Sequence, residues 1–86
     1  MGSYQIEWKK STAKDLRKIP KSQVLRIVEA VGKLEDDPTP IGSTKLLGSE
    51  SSYRIRVGDY RVIYDFVEER VIIEVIKVGH RKDVYR

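Results

Sequence analysis

The spacing of hydrophobic residues along the chain predicts four β-strands. Residues 4–8 alternate between apolar and polar side chains, as a half-buried strand does. Two further alternating segments, at about 53–57 and 60–67, flank a Gly-Asp pair and predict a β-hairpin with a two-residue turn. Residues 70–78 are almost continuously apolar, which is typical of a central strand covered on both faces.

Two helices are predicted between the first strand and the hairpin. Ser11 or Thr12 can cap a short helix, which ends at Ile19 because the residue before a proline avoids the helical region. A second helix begins near residues 20–22 and ends at the run Asp36-Asp37-Pro38. Its apolar stripe at helical spacing consists of Val24, Ile27, Val28, Val31 and Leu34. In the irregular segment that follows, residues 45–47 form either a short strand or a loop anchor.

The order of these elements predicts an α+β fold. Two N-terminal helices pack on one face of a small, mainly antiparallel sheet in the order β-α-α-β-β-β. The chain has 86 residues, which corresponds to a single small domain spanning 1–86. It contains no cysteine, so neither a disulfide nor a thiolate metal site can supplement its core.

The hairpin carries its charges on one face. A two-residue turn places Arg56 opposite Arg61, and Arg54 opposite Ile63, while the aromatic and aliphatic residues point to the other face. Like charges directly opposite each other destabilise a sheet unless something neutralises them. Either Asp59 in the turn or an anionic ligand could supply the negative charge.

The predicted turn at residues 68–69 brings further polar residues to the end of the sheet near the Gly58-Asp59 turn. If Glu68 and Glu69 form a two-residue turn, Arg61 faces Ile76, and the chain leaves the sheet at His80 and Arg81. We therefore expect His80, Arg81 and Tyr85 to lie beside the hairpin arginines. Together these residues would form an anion cradle with titratable neighbours.

Composition narrows the possible partners. The net charge is +4, and the basic residues change type along the chain: seven of the nine in residues 1–52 are lysine, and six of the eight in residues 53–86 are arginine. Arginine binds phosphate with a planar, bidentate fork, so the second segment is predicted to be the site.

One histidine cannot form a metal centre, and we predict no metal and no cofactor. No apolar run could cross a membrane, which favours a cytoplasmic protein.

The motifs YRIRVGDYRVIY and VGHRKDVYR, with the strand-helix-helix-meander order, resemble the RelE/ParE superfamily of toxin–antitoxin toxins. The resemblance spans essentially the whole chain and is strongest to the RelE branch. It implies a metal-independent endoribonuclease that cleaves messenger RNA on the ribosome, and a cognate antitoxin as partner. It also implies that operator DNA is bound only through the antitoxin complex.

The resemblance assigns roles to residues of this chain. By position, the RelE-like active site falls on Arg54, Arg56, Arg61, Arg81 and Tyr85. Arg61 and Arg81 would grip the scissile phosphate, while Arg54 and Arg56 would bind and orient the RNA backbone.

The chain departs from the RelE branch at one point. The family often has lysines where this chain has Arg54 and Arg56, and arginine is a poor base because it is not deprotonated in proteins. His80 or Tyr85 would then handle protons, or the ribosome and the RNA would supply the deprotonation. Two other functions stay open: a ParE-like inhibitor of DNA gyrase, and an inactive homologue that acts only as an antitoxin-bound co-repressor.

Overall fold

The computed structural model describes residues 4–67 and 69–82 of the chain, and it contains two helices and five strands. The elements are β1 (Gln5–Trp8), α1 (Ser11–Arg17), α2 (Lys21–Gly32), a 3₁₀ turn (Lys33–Glu35), β2 (Thr44–Lys45), β3 (Ser52–Val57), β4 (Tyr60–Phe66) and β5 (Ile72–His80). None of the described helices is long and apolar enough to span a membrane.

The five strands form one sheet in the order β1-β5-β4-β3-β2. β1 pairs with β5 in parallel, and the other three pairings are antiparallel. The predicted α+β fold with a mainly antiparallel sheet is therefore confirmed. The structure adds the two-residue strand β2, which resolves the open choice at residues 45–47: Lys45 pairs with Tyr53, and the side chain of Leu47 is fully exposed and anchors nothing.

The core lies between the helices and one face of the sheet. The predicted stripe contributes Ile27 and Val31 from α2 and Leu34 from the 3₁₀ turn, none of which is more than 1% exposed. The sheet contributes Val62, Tyr64, Ile73, Val75 and Val78. Val28 is 45% exposed and lies at the margin of the stripe. The opposite face of the sheet, which we call the open face, carries no helix.

The predicted cap of the first helix is wrong. Lys10 occupies the N-cap position of α1, and no side chain caps the helix. Thr12 is the second residue of α1 and its side chain is buried. Its hydroxyl donates a hydrogen bond to the carbonyl of Lys9. Asp15 has a tertiary contact instead, since its carboxylate accepts a hydrogen bond of 3.1 Å from the backbone N–H of Val78.

Coverage of β5 on both faces is also wrong. Ile73, Val75 and Val78 are buried beneath the helices, whereas Ile72 and Glu74 are exposed on the open face. The strand is central only in its hydrogen bonding, because β1 and β4 lie on its two sides. The apolar run therefore correctly predicted that β5 lies inside the sheet, but it did not mean that a second layer covers the open face.

The predicted turn between β4 and β5 is wrong in length, and the register changes with it. Phe66 pairs with Ile73, so the connection is longer than two residues. The register then shifts between Ile63 and Tyr64, where Ile76 has no partner on β4. Such a bulge displaces every later residue, and Arg61 pairs with Gly79 instead of Ile76.

Candidate functional site

The register of the arginine hairpin is the one predicted from its two-residue turn. Arg56 pairs with Arg61, and Arg54 pairs with Ile63. Gly58 has φ +61°, which suits the first central position of a tight hairpin turn. The alternation of β3 and β4 therefore directs all three arginines to the open face, while Tyr64 and its neighbours enter the core.

Arg61 is the most unusual residue of this face. Its side chain is only 8% exposed, and its Nε and Nη1 atoms are buried without a hydrogen-bond partner among the described residues. Burial lowers the pKa of Arg61, and the positive charges of Arg56, Arg54 and Arg81 lower it further. A buried charged donor without a partner is costly, and a negatively charged group at this position would reduce that cost.

Asp59 does not provide that negative charge in full. Its carboxylate raises the pKa of Arg61, but this effect is smaller than the lowering by burial and by each of the three arginines. The backbone carbonyl of Asp59 has another role, since it accepts a hydrogen bond of 2.8 Å from the N–H of Arg81. This bond ties the residue after β5 to the hairpin turn and brings Arg81 to the arginine cluster, by which we mean Arg54, Arg56, Arg61 and Arg81.

Charge is divided along the strands of the open face. Three neighbouring rows of paired residues cross the sheet: Arg56, Arg61 and Gly79; then Arg54, Ile63 and Lys77; then Asp65, Glu74 and Glu7. The first two rows are basic and the third is acidic. A polyanion is therefore attracted to the end of the sheet near the hairpin turn and repelled from the other end.

Lys77 belongs to this face, and the sequence analysis missed it. A two-residue turn at 68–69 would have put Lys77 opposite Tyr60, on the side of the helices. The longer connection and the bulge at Ile76 pair it with Ile63 instead. No local signal indicates that shift, because the bulge depends on how β5 packs against the rest of the sheet.

His80 lies at the predicted end of the sheet but not beside the arginines. It is the last residue of β5 and pairs with Tyr60, whose side chain packs against the core. The rings of Tyr60 and His80 meet edge to face at 5.7 Å, which places His80 on the helix side of the sheet. The expected position beside Arg56 and Arg61 is therefore wrong, and its role in proton transfer stays a prediction. Tyr85 lies outside the described residues.

Among the residues that the structure describes, no group of three or more His, Cys, Asp or Glu side chains could hold a metal ion. The chemistry that this face offers consists of fixed positive charge and a lysine amine. Such an arrangement can bind the oxygens of a phosphate and stabilise negative charge that develops on them.

Comparison with known proteins identifies the family. Residues 6–85 match the family model described as the ParE toxin of the type II toxin–antitoxin system parDE. The chain is 30% identical over 84 residues to the toxin RelE of Mycobacterium tuberculosis, covering 96% of this chain and 87% of that protein. It is 29% identical over 84 residues to the toxin RelG of the same organism, covering 96% and 97%.

A solved structure shows the same arrangement of elements. The archaeal RelE–RelB complex from Pyrococcus horikoshii OT3 contains a chain that matches with a TM-score of 0.81 and 32% identity, covering 95% of this chain and 99% of that chain. The fold, the family match and the named relatives agree. The chain therefore belongs to the RelE/ParE superfamily of toxin–antitoxin toxins and is a RelE-like member of it.

Proposed function

We propose that this toxin is an endoribonuclease that cleaves messenger RNA on the ribosome and is silenced by a cognate antitoxin. The observation that carries the proposal is Arg61, a buried guanidinium in a cluster of four arginines, two of whose nitrogen atoms have no hydrogen-bond partner in residues 4–67 and 69–82. Such a site is organised in advance for a phosphate oxygen, and it needs no rearrangement when charge develops there. Its location is cytoplasmic, where ribosomes and messenger RNA occur.

The reaction is an attack of a ribose 2′-oxygen on the adjacent phosphorus. The new bond joins the 2′-oxygen to phosphorus, and the bond from phosphorus to the 5′-oxygen of the next nucleotide breaks. The proton of the 2′-hydroxyl leaves to a base, and the departing 5′-oxygen takes up a proton. The products are a 2′,3′-cyclic phosphate, which can open to a 3′-phosphate, and a new 5′-hydroxyl.

The arginine cluster stabilises this reaction. Arg61 holds the non-bridging oxygens from its buried position, and Arg81 grips them from the exposed end of β5. Arg54 and Arg56 orient the RNA backbone along the first two rows. The acidic row of Asp65, Glu74 and Glu7 keeps the RNA from following the strands, so the backbone crosses the sheet at its basic end.

Arg81 provides the test of the proposed function. Arg81→Ala is expected to lower cleavage by about 10²–10³-fold on translating ribosomes, because one charged donor to the transition state is lost. Toeprinting measures the cleavage, and circular dichroism shows that the variant is folded. Arg70→Ala is the matched control, since it removes an exposed arginine next to the acidic end of the sheet.

Two results would contradict the assignment. Undiminished cleavage by Arg81→Ala would remove this residue from the active site. The family model is described as a ParE toxin, so the same preparations are assayed for inhibition of DNA gyrase supercoiling. Inhibition of supercoiling by a wild-type protein that leaves ribosome-bound RNA intact would establish the gyrase-directed function in place of RNA cleavage.

Lys77 is proposed as the proton acceptor. It lies in the second basic row and carries an amine, whereas its basic neighbours on this face carry guanidinium groups, which are not deprotonated in proteins. His80 pairs with Tyr60 and packs against its ring, whereas Lys77 shares its row with Arg54 and lies next to the row of Arg56 and Arg61.

Lys77→Met and Lys77→Arg separate proton transfer from charge. General base catalysis contributes about 10²–10⁴-fold, so both variants are expected to lose at least about 10²-fold in cleavage rate. Lys77→Arg keeps the positive charge and should bind RNA as the wild type does. Lys45→Met is the control, because Lys45 is an exposed strand lysine that pairs with Tyr53 on the helix side. Full cleavage by Lys77→Arg would show that Lys77 acts only through its charge.

The antitoxin is proposed as a partner of the open face. Chains similar to this one occur in solved RelE–RelB complexes from Pyrococcus horikoshii and Mycobacterium tuberculosis. Ile72 is 36% exposed, and Ile63 and Ile76 are half-buried on a sheet face without a covering helix, so an amphipathic segment has apolar contacts to make. Acidic residues of the same segment would neutralise the arginine cluster and block access of RNA. Operator DNA would be bound only through this complex.

A further inference from the structure

A groove of about 500 Å³ lies at the same end of the sheet as the arginine cluster, but on the helix side. Asp15, Lys18 and Ile19 form one wall. Tyr60, Val78 and His80, from β4 and β5, form the other. Lys77 and Gly79 also border the groove, and of all its lining residues the reaction proposed above uses only Lys77.

The groove exists because β5 extends past β1. β1 pairs with β5 only as far as Val75, which leaves the edge of β5 at Val78 without a neighbouring strand. α1 fills this place, and Asp15 accepts the backbone hydrogen bond that a strand would otherwise have taken. Ile19 and Val78 are the buried residues of the two walls, so the deepest part of the groove is apolar, and the hydrogen bond from Val78 to Asp15 joins the walls.

Two half-buried rings line the groove. The ring of His80 is held by a hydrogen bond of 3.2 Å, which the backbone N–H of Lys82 donates to its Nδ1. The edge-to-face contact with Tyr60 fixes the orientation of both rings. When Nδ1 accepts this bond, a neutral ring carries its hydrogen on Nε2, which leaves that nitrogen as a donor. Fixed aromatic rings with a hydrogen-bond donor suit a planar heterocycle, and nucleobases of single-stranded RNA bind proteins in this way.

We propose that this groove is a nucleobase subsite for the nucleotide that flanks the cleaved bond, an inference that rests on the proposed function. Gly79 pairs with Arg61 on the open face, and His80 is the next residue and points to the other side. The phosphate site and the groove are therefore two sides of one strand end. Arg81 and Lys82 are exposed where the RNA would bend around that end, and they supply positive charge along its path.

Nuclear magnetic resonance of the wild-type toxin tests the subsite directly. Adenosine 5′-monophosphate is expected to shift the ring resonances of Tyr60 and His80, because the base enters the groove. Ribose 5-phosphate has the same phosphate and sugar without a base, and it should leave these resonances unchanged. Equal shifts from both compounds, or no shift from either, would overturn the subsite.

Substitution of His80 tests the same proposal through affinity. His80→Leu should weaken binding of a trinucleotide RNA about tenfold, as expected for loss of one stacking contact, whereas His80→Phe keeps the ring without the Nε2 donor and should bind with an affinity between those of the wild type and His80→Leu. An unchanged affinity of His80→Leu would contradict the subsite. Lys77 also borders the groove, so it is left unaltered in this experiment.

The two proposals can fail separately. If ribosome-bound RNA is not cleaved but the adenosine ligand still shifts the two rings, the groove binds a nucleobase, while the nuclease function and the place of that base beside a cleaved bond both fail. If cleavage occurs and His80→Leu changes neither the affinity for RNA nor the choice of cleavage site, the nuclease function stands and the subsite fails.

Discussion

Replacing Arg61 with methionine is expected to lower RNA cleavage by about 10²–10³-fold and to raise the melting temperature of the free protein. The loss of activity follows from removing the buried donor to the phosphate. The gain in stability follows from removing a buried, incompletely partnered charge that three other arginines repel. Methionine keeps an unbranched side chain in the same space.

The magnitude of the gain can be bounded. Replacing a buried ion pair with apolar residues of similar volume is often neutral or stabilising by about 1–4 kcal/mol, and the gain at the single charge of Arg61 should not exceed this range. In a domain of this size, each 1 kcal/mol shifts the melting temperature by about 4–8 °C. Differential scanning fluorimetry therefore resolves the effect, and toeprinting on the same preparation measures the loss of cleavage.

An anion provides the control. Sulfate should raise the melting temperature of the wild type, because it binds the native arginine cluster, and should raise that of Arg61→Met less. Arg61→Lys keeps a positive charge and is expected to lie between the two proteins in stability. If Arg61→Met instead melts well below the wild type, Arg61 has a structural role in the fold, and the argument for an anion site at this position is lost.

Alkaline pH is expected to destabilise the protein through Tyr64. Its side chain is fully buried, its hydroxyl donates a hydrogen bond of 2.6 Å to the carbonyl of Pro38, and its ring stacks on Tyr53. Burial raises the pKa of Tyr64 to about 12 from the ordinary value of 10.0, since the charged phenolate is disfavoured there.

The sign of the effect follows from proton binding. Above pH 10 the unfolded chain loses the proton of this tyrosine while the native protein keeps it. The native state then binds more protons than the unfolded state, so the free energy of unfolding falls as the pH rises. The contribution is complete below pH 10 and is lost by pH 12. A shift of about two units corresponds to about 3 kcal/mol, a large part of the stability of a small domain.

Urea denaturation at pH 8 and pH 11.5 measures this loss. Tyr64→Phe should be less stable than the wild type at pH 8 by about 1–2 kcal/mol, because the Pro38 carbonyl loses its donor. It should also lose much less stability on going to pH 11.5. Tyr4→Phe is the matched control and should keep the alkaline loss, since Tyr64 is intact. Parallel pH profiles for the wild type and Tyr64→Phe would refute this account.

Arg61 combines burial with repulsion from three other arginines, and the core on the other face of the sheet holds its strand in place. Tyr64 and the helix stripe build a core on one face, while the arginine cluster occupies the other face of the same strands. Violations of local rules that are confined to one place in an otherwise consistent fold are expected at functional sites. The pair Arg56–Arg61 is such a violation, and it can be predicted from the sequence alone.

The sequence by itself determined the elements and the hairpin. The alternation and the Gly58-Asp59 turn are local, so counting residues across the turn correctly placed Arg56 opposite Arg61. The helix stripe likewise identified Ile27, Val31 and Leu34 as core. These features depend on residues that are close together in the chain, where periodicity and turn chemistry leave few alternatives.

Only the tertiary structure decided on which face of the sheet the side chains of β5 lie. The longer connection before β5 and the bulge at Ile76 moved Lys77 to the open face, and the pairing with Tyr60 put His80 on the helix side. Because side chains alternate, a shift of one residue exchanges the two faces of a strand, and no local signal marks a bulge set by distant packing. The burial of Arg61 is likewise a property of the assembled sheet, since it depends on residues from several strands.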